Sequence, residues 1–147
     1  MPRLHDAAVR AHLHARLDSI TPDATRRWGK MTVDQMLWHV NQSLSIALGE
    51  TTEPPMKVPV PLPVARFMLL SLPWPRSAPT LPGIMAGTTR HDFTAEKARC
   101  KTLIDKFAAH DLNGDWAAHP ALGKMSGAQN SKLQAKHLNH HFTQFSA

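Results

Sequence analysis

The sequence predicts an all-α protein, a four-helix bundle with a long proline-rich crossover between its second and third helices. Three observations lead there. Apolar residues recur at helical spacing in four longer segments, two of which open on capping-box patterns. No stretch shows the sustained alternation of β-branched residues that a strand needs. Most of the twelve prolines crowd into residues 50–93, which separate one pair of helical segments from the other.

The first helix is expected from about Leu4 to Leu17, with Leu4, Ala8, Ala11 and Ala15 or Leu17 near helical spacing and Thr21-Pro22 as the stop. Thr32-Val33-Asp34-Gln35 then has capping-box form, and the second helix should run to about Leu48, before Gly49. Its stripe is Val33, Met36, Leu37, Val40, Leu44, Ala47 and Leu48. A bare loop over the whole proline-rich stretch would be suspect, so a short helix is expected at about Val64 to Leu72. Thr94 should cap a third long helix to about His110, with Glu96 well placed in its first turn and Ala98, Leu103, Ile104, Phe107 and Ala108 facing inward. Ser126-Gly127-Ala128-Gln129 repeats the capping-box pattern and opens a last helix to about Phe145.

At 147 residues and 42% apolar composition, the chain, residues 1–147, reads as one domain. The formal charge of +6 is dispersed. Arg26, Arg27 and Lys30 form the densest group, and neither they nor Lys124, Lys132 and Lys136 alternate with aromatics as a base-stacking platform would. Nucleic acid is therefore not an expected partner. Cys100 is the single cysteine, so no intrachain disulfide can form, and the start lacks the apolar run of a signal peptide. A cytoplasmic location is expected. The most apolar stretch, "VPVPLPVARFMLLSLPWP", is broken by prolines and Arg66 and falls short of the ~20 residues that span a bilayer. No membrane partner is expected either.

Ten histidines are present, three of them in "KHLNHHFTQF". His137 and His141 are four apart, so on a helix their rings stack on one face and can converge on one ion. Roughly 0.7 such pairs would arise by chance, so the spacing alone decides little. Helical projection puts His141 beside Leu133, Leu138, Phe142 and Phe145 with His137 at their edge, and turns His140 about 100° away. His39 in "DQMLWHVNQ" lies next to the Met36/Val40 stripe, with Ser43 leaving space one turn later, and is the candidate third ligand. Two readings stand at this point: a three-histidine metal site, or three hydrogen-bonded interior histidines. His5, His12, His14, His91, His110 and His119 have no convergent partner.

The runs "RWGKMTVDQMLWHVNQSLSIALGE", "LPWPRSAPT" and "HPALGKMS", the last followed by "HLNHHFTQF", resemble a domain-of-unknown-function branch of the DinB/YfiT-like superfamily over roughly Trp28 to Phe145. The resemblance implies a four-helix bundle with a long crossover, often a homodimer, and a metal site made by His39, His137 and His141. It also implies metal- and thiol-dependent transferase or isomerase chemistry on a small-molecule substrate with a low-molecular-weight thiol. This chain departs from many relatives in having Asn139 between the histidines, and Gln129 and Asn130 where a tryptophan is common. The first departure removes a carboxylate that would orient a ligand.

Three neutral imidazoles leave a divalent ion with its charge and an open position, as in catalytic sites. The sequence thus supports a hydrolase or thiol-dependent transferase, with zinc or nickel foremost and iron or manganese also suited to imidazole. The competing reading is a non-catalytic dimeric helical protein that serves in binding or stress response without an essential metal. Asp34 is more simply a helix first-turn charge than a general base. Cys100 is expected as a small buried side chain, and Trp28, Trp38, Trp74 and Trp116 chiefly as core. The loop "LPWPRSAPTLPG" is a candidate lining for the site entrance.

Overall fold

Among the residues that the structure describes, 2–76 and 87–147 of a computed structural model, the chain forms five helices and no strand. They are α1 (Ala7–Ser19), α2 (Val33–Ala47), α3 (Leu62–Ser71), α4 (Phe93–Ala109) and α5 (Gly127–Gln144). The short crossover helix is α3, with Pro63 in its first turn, where a missing N–H costs nothing.

Local chemistry sets the helix starts. The Thr32 N–H donates to Gln35 Oε1 at 2.9 Å, which fixes the start of α2. At α5 both halves of the capping box form: Ser126 N–H donates to Gln129 Oε1 at 3.0 Å, and Gln129 N–H to Ser126 Oγ at 3.1 Å. The third long helix is capped two residues earlier than the sequence suggests. Asp92, not Thr94, accepts from the Ala95 N–H at 2.8 Å, because a carboxylate upstream caps as well as a hydroxyl and lets Phe93 join the helix.

α1 also differs from expectation, in phase as well as bounds. Leu13 and Leu17 are its buried residues, while Ala8, Ala11 and Ala15 are exposed. Leucine buries far more apolar surface than alanine, so the two leucines set the inward face. Leu4 is fully buried but lies before the helix, with its N–H donating to Ser131 O at 3.1 Å. On α4 the buried set is Cys100, Leu103, Ile104 and Phe107, and Ala98 is exposed.

α2 packs against both α4 and α5, α1 bridges α4 and α5, and α3 lies on α5. The main core joins Leu17, Met36, Leu37, Leu44, Phe107 and Phe142. A smaller cluster of Ala65, Leu70, Leu122, Met125 and Leu133 lies under α3. Helix α5 supplies side chains to both. No described helix is long and apolar enough to cross a membrane.

At the start of α5 the backbone of a preceding loop comes so close that only glycine fits. A Cβ on Gly127 would lie 2.0 Å from Leu112 O and 2.7 Å from Trp116 Nε1. Alanine would gain up to about 1 kcal/mol of helix propensity. Displacing the Leu112 backbone costs about 1–3 kcal/mol or more, so the clash wins. Gly127→Ala should therefore lower the urea midpoint of unfolding. An unchanged or raised midpoint would show that the approach relaxes freely.

Candidate metal centre

His39 comes from the middle of α2, and His137 and His141 from successive turns of α5. The α2/α5 contact brings them together. Their relative exposures are 3%, 8% and 8%, so both α5 rings are buried to the same degree, although projection put His137 only at the apolar edge. Ring centroids are 4.9 Å apart for His39 and His137, 4.7 Å for His39 and His141, and 4.7 Å for His137 and His141. Each ring offers one nitrogen such that all three lie within 4.8 Å of one another, so the cluster could hold a metal ion. The closest pair is His39 Nε2 and His137 Nε2, 3.0 Å apart.

A glutamine that the sequence did not single out orients His141. Gln144 Nε2 donates to Trp28 O at 3.0 Å, which turns Gln144 Oε1 towards His141 Nδ1 at 2.8 Å. A carbonyl oxygen only accepts, so Nδ1 carries the proton and Nε2 keeps its lone pair. That is the tautomer a ligand needs. Gly29 makes room for this amide: it has φ +84°, and a Cβ there would lie 2.6 Å from Gln144 Nε2. Asn139 sits on the exposed face and accepts from Arg16 Nη1 at 2.6 Å, so an amide at position 144, not a carboxylate at 139, orients the ring.

Burial keeps the two α5 rings neutral. It pushes His137 well below the ordinary imidazole value, and His141 and His39 beside it act in the same direction. For His141 burial is again the main cause and His39 adds to it, against the Gln144 hydrogen bond, holding the ring at about 3. Outside the cluster, His140 is half-buried, with its ring 5.0 Å from His141 and 5.5 Å from both Trp28 and Trp74. It is not one of the three that could share an ion, although its ring adjoins His141. Trp74 also lies 5.8 Å from His137. The site thus has an aromatic outer wall.

The other histidines have different partners. His5 bridges Ser131 Oγ at 2.8 Å and His110 O at 2.7 Å, and His14 pairs with Asp105 at 2.8 Å. His91 stacks on Trp38, and the His110 ring lies edge-on to Trp116. His119 Nδ1 accepts from the N–H groups of Ala121 and Leu122, each at 3.0 Å. His12 is exposed.

Asp34 is buried, bonded by Arg90 at 2.8 Å and by the His91 N–H at 2.8 Å. Burial opposes its ionised form, but these hydrogen bonds prevail and hold it well below the usual carboxylate range. Such a group is a poor base. Cys100 is fully buried, and burial pushes its thiol up to about 12, which fits a packing role. Ser43, one turn after His39, accepts from Gln134 Nε2 at 3.1 Å.

Of the tryptophans, Trp116 alone belongs to the buried main core, while Trp28, Trp38 and Trp74 are half-buried against histidine rings. Of the proline-set loop, residues 72–76 are described and bring Trp74 to the site; residues 77–83 lie outside the described residues. Gln144 had a legible signal, its position three residues after His141 on one helix face. Trp74 lies in the loop expected to line the entrance, whereas Trp28, also outside the helices, had no signal.

Fold and site together define an all-helical protein with a buried cluster of three histidines. The chain belongs to a family described as "Protein of unknown function (DUF1569)", which matches residues 4–147. No curated protein and no solved structure matches it.

The depressed histidines make the metal-free protein acid-sensitive. Unfolded, such rings take up protons near pH 6.5; folded, His141 does so only at about 3 and His119, lowered by burial, at about 4. Between those limits the unfolded state binds more protons, so this stability is whole above pH 6.5 and declines as pH falls towards 3. Urea midpoints should drop from about pH 7 to about pH 4, and less steeply in His141→Gln. Equal slopes in the two proteins would contradict burial of a neutral ring at position 141.

Proposed function

We propose that this chain is a metal-dependent enzyme, a hydrolase or thiol-dependent transferase, in which His39, His137 and His141 hold one divalent ion. The observation that carries it is the convergence of three buried imidazoles from positions 98 residues apart, one of them held by Gln144 in the tautomer that leaves Nε2 unprotonated. Zinc–nitrogen bonds of about 2.0–2.1 Å put tetrahedral ligand atoms about 3.3–3.4 Å apart. The cluster's closest pair is 3.0 Å apart and all its ligand atoms fall within 4.8 Å, so small ring rotations suffice. Zinc or nickel suits this donor set, as do iron and manganese.

Bound there, the ion would supply a Lewis-acid centre that acidifies a water or a thiol. The chain's own residues do the rest. Gln144 holds the His141 tautomer, Trp28 and Trp74 limit water at the outer wall, and His140 presents a half-buried imidazole that can take or deliver a proton. We also read α1, α2, α4 and α5 as a four-helix bundle of the DinB/YfiT type in a single domain, which the packing of these helices in pairs supports. A homodimer and a low-molecular-weight thiol cosubstrate belong to that reading. So does a cytoplasmic location, supported by the lone, buried, free Cys100.

One observation favours the non-catalytic alternative. At 3.0 Å, His39 and His137 can satisfy each other by a hydrogen bond with no metal at all. Elemental analysis of untagged protein separates the two. The enzyme reading expects near-stoichiometric metal that is lost in His39→Ala and in His137→Ala with helicity retained. Protein that carries no metal and refuses zinc and nickel at neutral pH would leave the alternative standing.

The Gln144 contact makes a finer prediction. Gln144→Ala should weaken zinc binding about 10–100-fold, the usual cost of losing a group that orients a ligand. Wild-type affinity in a competitive chelator titration would show that His141 needs no such support.

A further inference from the structure

Among the described residues, the exposed large apolar side chains are Leu62, Val64, Phe67, Met68 and Leu72, and all lie on α3 or its cap. Phe67 is 59% exposed. The inward side of α3 is occupied by Ala65 and Leu70 against Leu122 and Leu133. Arg66 is the helix's sole charged residue, and its Nε donates to Leu122 O at 2.8 Å. A surface helix ordinarily turns polar residues outward. This one turns Val64, Phe67, Met68 and Leu72 to solvent, the kind of contiguous patch that marks an interaction site.

Beside the patch runs a groove of about 610 Å³ between α3 and the first turns of α5. Phe67 and Leu70 form its apolar wall, and Arg3, Arg66 and Lys132 its charged rim; no carboxylate is in the lining, although Arg3 is paired with Asp6 at 3.3 Å. Lys132 forms no ion pair among the described residues. The groove is thus apolar on one side and cationic on the other. Its complement is apolar and acidic.

Three kinds of occupant compete. A second copy seated in the groove by a two-fold axis would bring a cationic rim to a cationic rim, which disfavours it as the occupant. A bilayer could take the outward Val64, Met68 and Leu72 but would leave the recess walled by Phe67 and Leu70 unfilled. A small anionic amphiphile would fill the groove and leave Val64, Met68 and Leu72 bare. We infer that the groove between α3 and the start of α5 docks an acidic amphipathic segment of a partner protein. Its apolar residues cover Phe67 and its neighbours, and its carboxylates meet Arg3, Arg66 and Lys132. This is recognition of a helix in a groove.

The test uses the full chain and a synthetic helical peptide of about 15 residues, with leucine and phenylalanine on one face and glutamate on the other. A twin with lysine for glutamate and vesicles containing phosphatidylglycerol complete the set. By fluorescence anisotropy the glutamate peptide should bind saturably and release in high salt. Phe67→Ser and Lys132→Glu, both clear of the core, should each weaken it about tenfold or more. Lys132→Glu should also narrow the preference for the glutamate peptide over its twin. The inference is overturned if the glutamate peptide does not bind, if the twins bind alike, or if vesicles or a second copy, and not the peptide, engage Phe67.

Discussion

The site depends on one seam, the packing of α2 against α5, where imidazole side chains and the Ser43–Gln134 pair sit among apolar ones. His39 shares its helix face with Met36 and Val40, and the α5 pair lies beside Leu138 and Phe142, all of them buried. A buried imidazole without partners is destabilising, so these positions are tolerable only when the rings satisfy each other, an amide such as Gln144, or a cation. The aliphatic neighbours set the distance between helices. The rings then have little choice but to meet.

Precision along the seam comes from how α5 is fixed to the rest of the chain. Near its start, Leu4 N–H donates to Ser131 O and His5 N–H to Ser131 Oγ. Near its end, Arg27 N–H donates to Gln144 O while Gln144 reaches Trp28 O. The segments flanking α1 therefore hold α5 at both ends, and a shift of one turn would break all of these contacts at once. The basic excess is used in the same way. Arg16, Arg26, Lys97, Lys124 and Lys136 all donate to backbone carbonyls, so much of the positive charge serves to tie segments together. Lys132 is outside that pattern, and it borders the groove beside α3, whose lining is both apolar and cationic.

What could be read from the residues follows from which interactions are local. Capping at Thr32 and Ser126 is local, since the partners lie three residues apart, and both helix starts fall where the pattern puts them. The α2 stripe and the inward set of α5 were legible because bulky apolar residues recur at one period, and Val33, Met36, Leu37, Val40, Leu44 and Ala47 are all buried. Where two signals competed, the reading slipped: Asp92 outcompeted Thr94, and alanines obscured the phase of α1. Contacts made by the loops had no periodic signal at all. Trp28 and Trp74 reach the histidines from irregular backbone, and the Gln144 link to Trp28 O spans 116 residues.

The central claim is that three buried imidazole rings converge closely enough to share one cation, and metal-edge X-ray absorption on zinc-loaded protein tests it most directly. The account predicts three imidazole nitrogens at about 2.0–2.1 Å, and one fewer in His39→Ala. A spectrum with one or no imidazole, or one unchanged by that substitution, would contradict it.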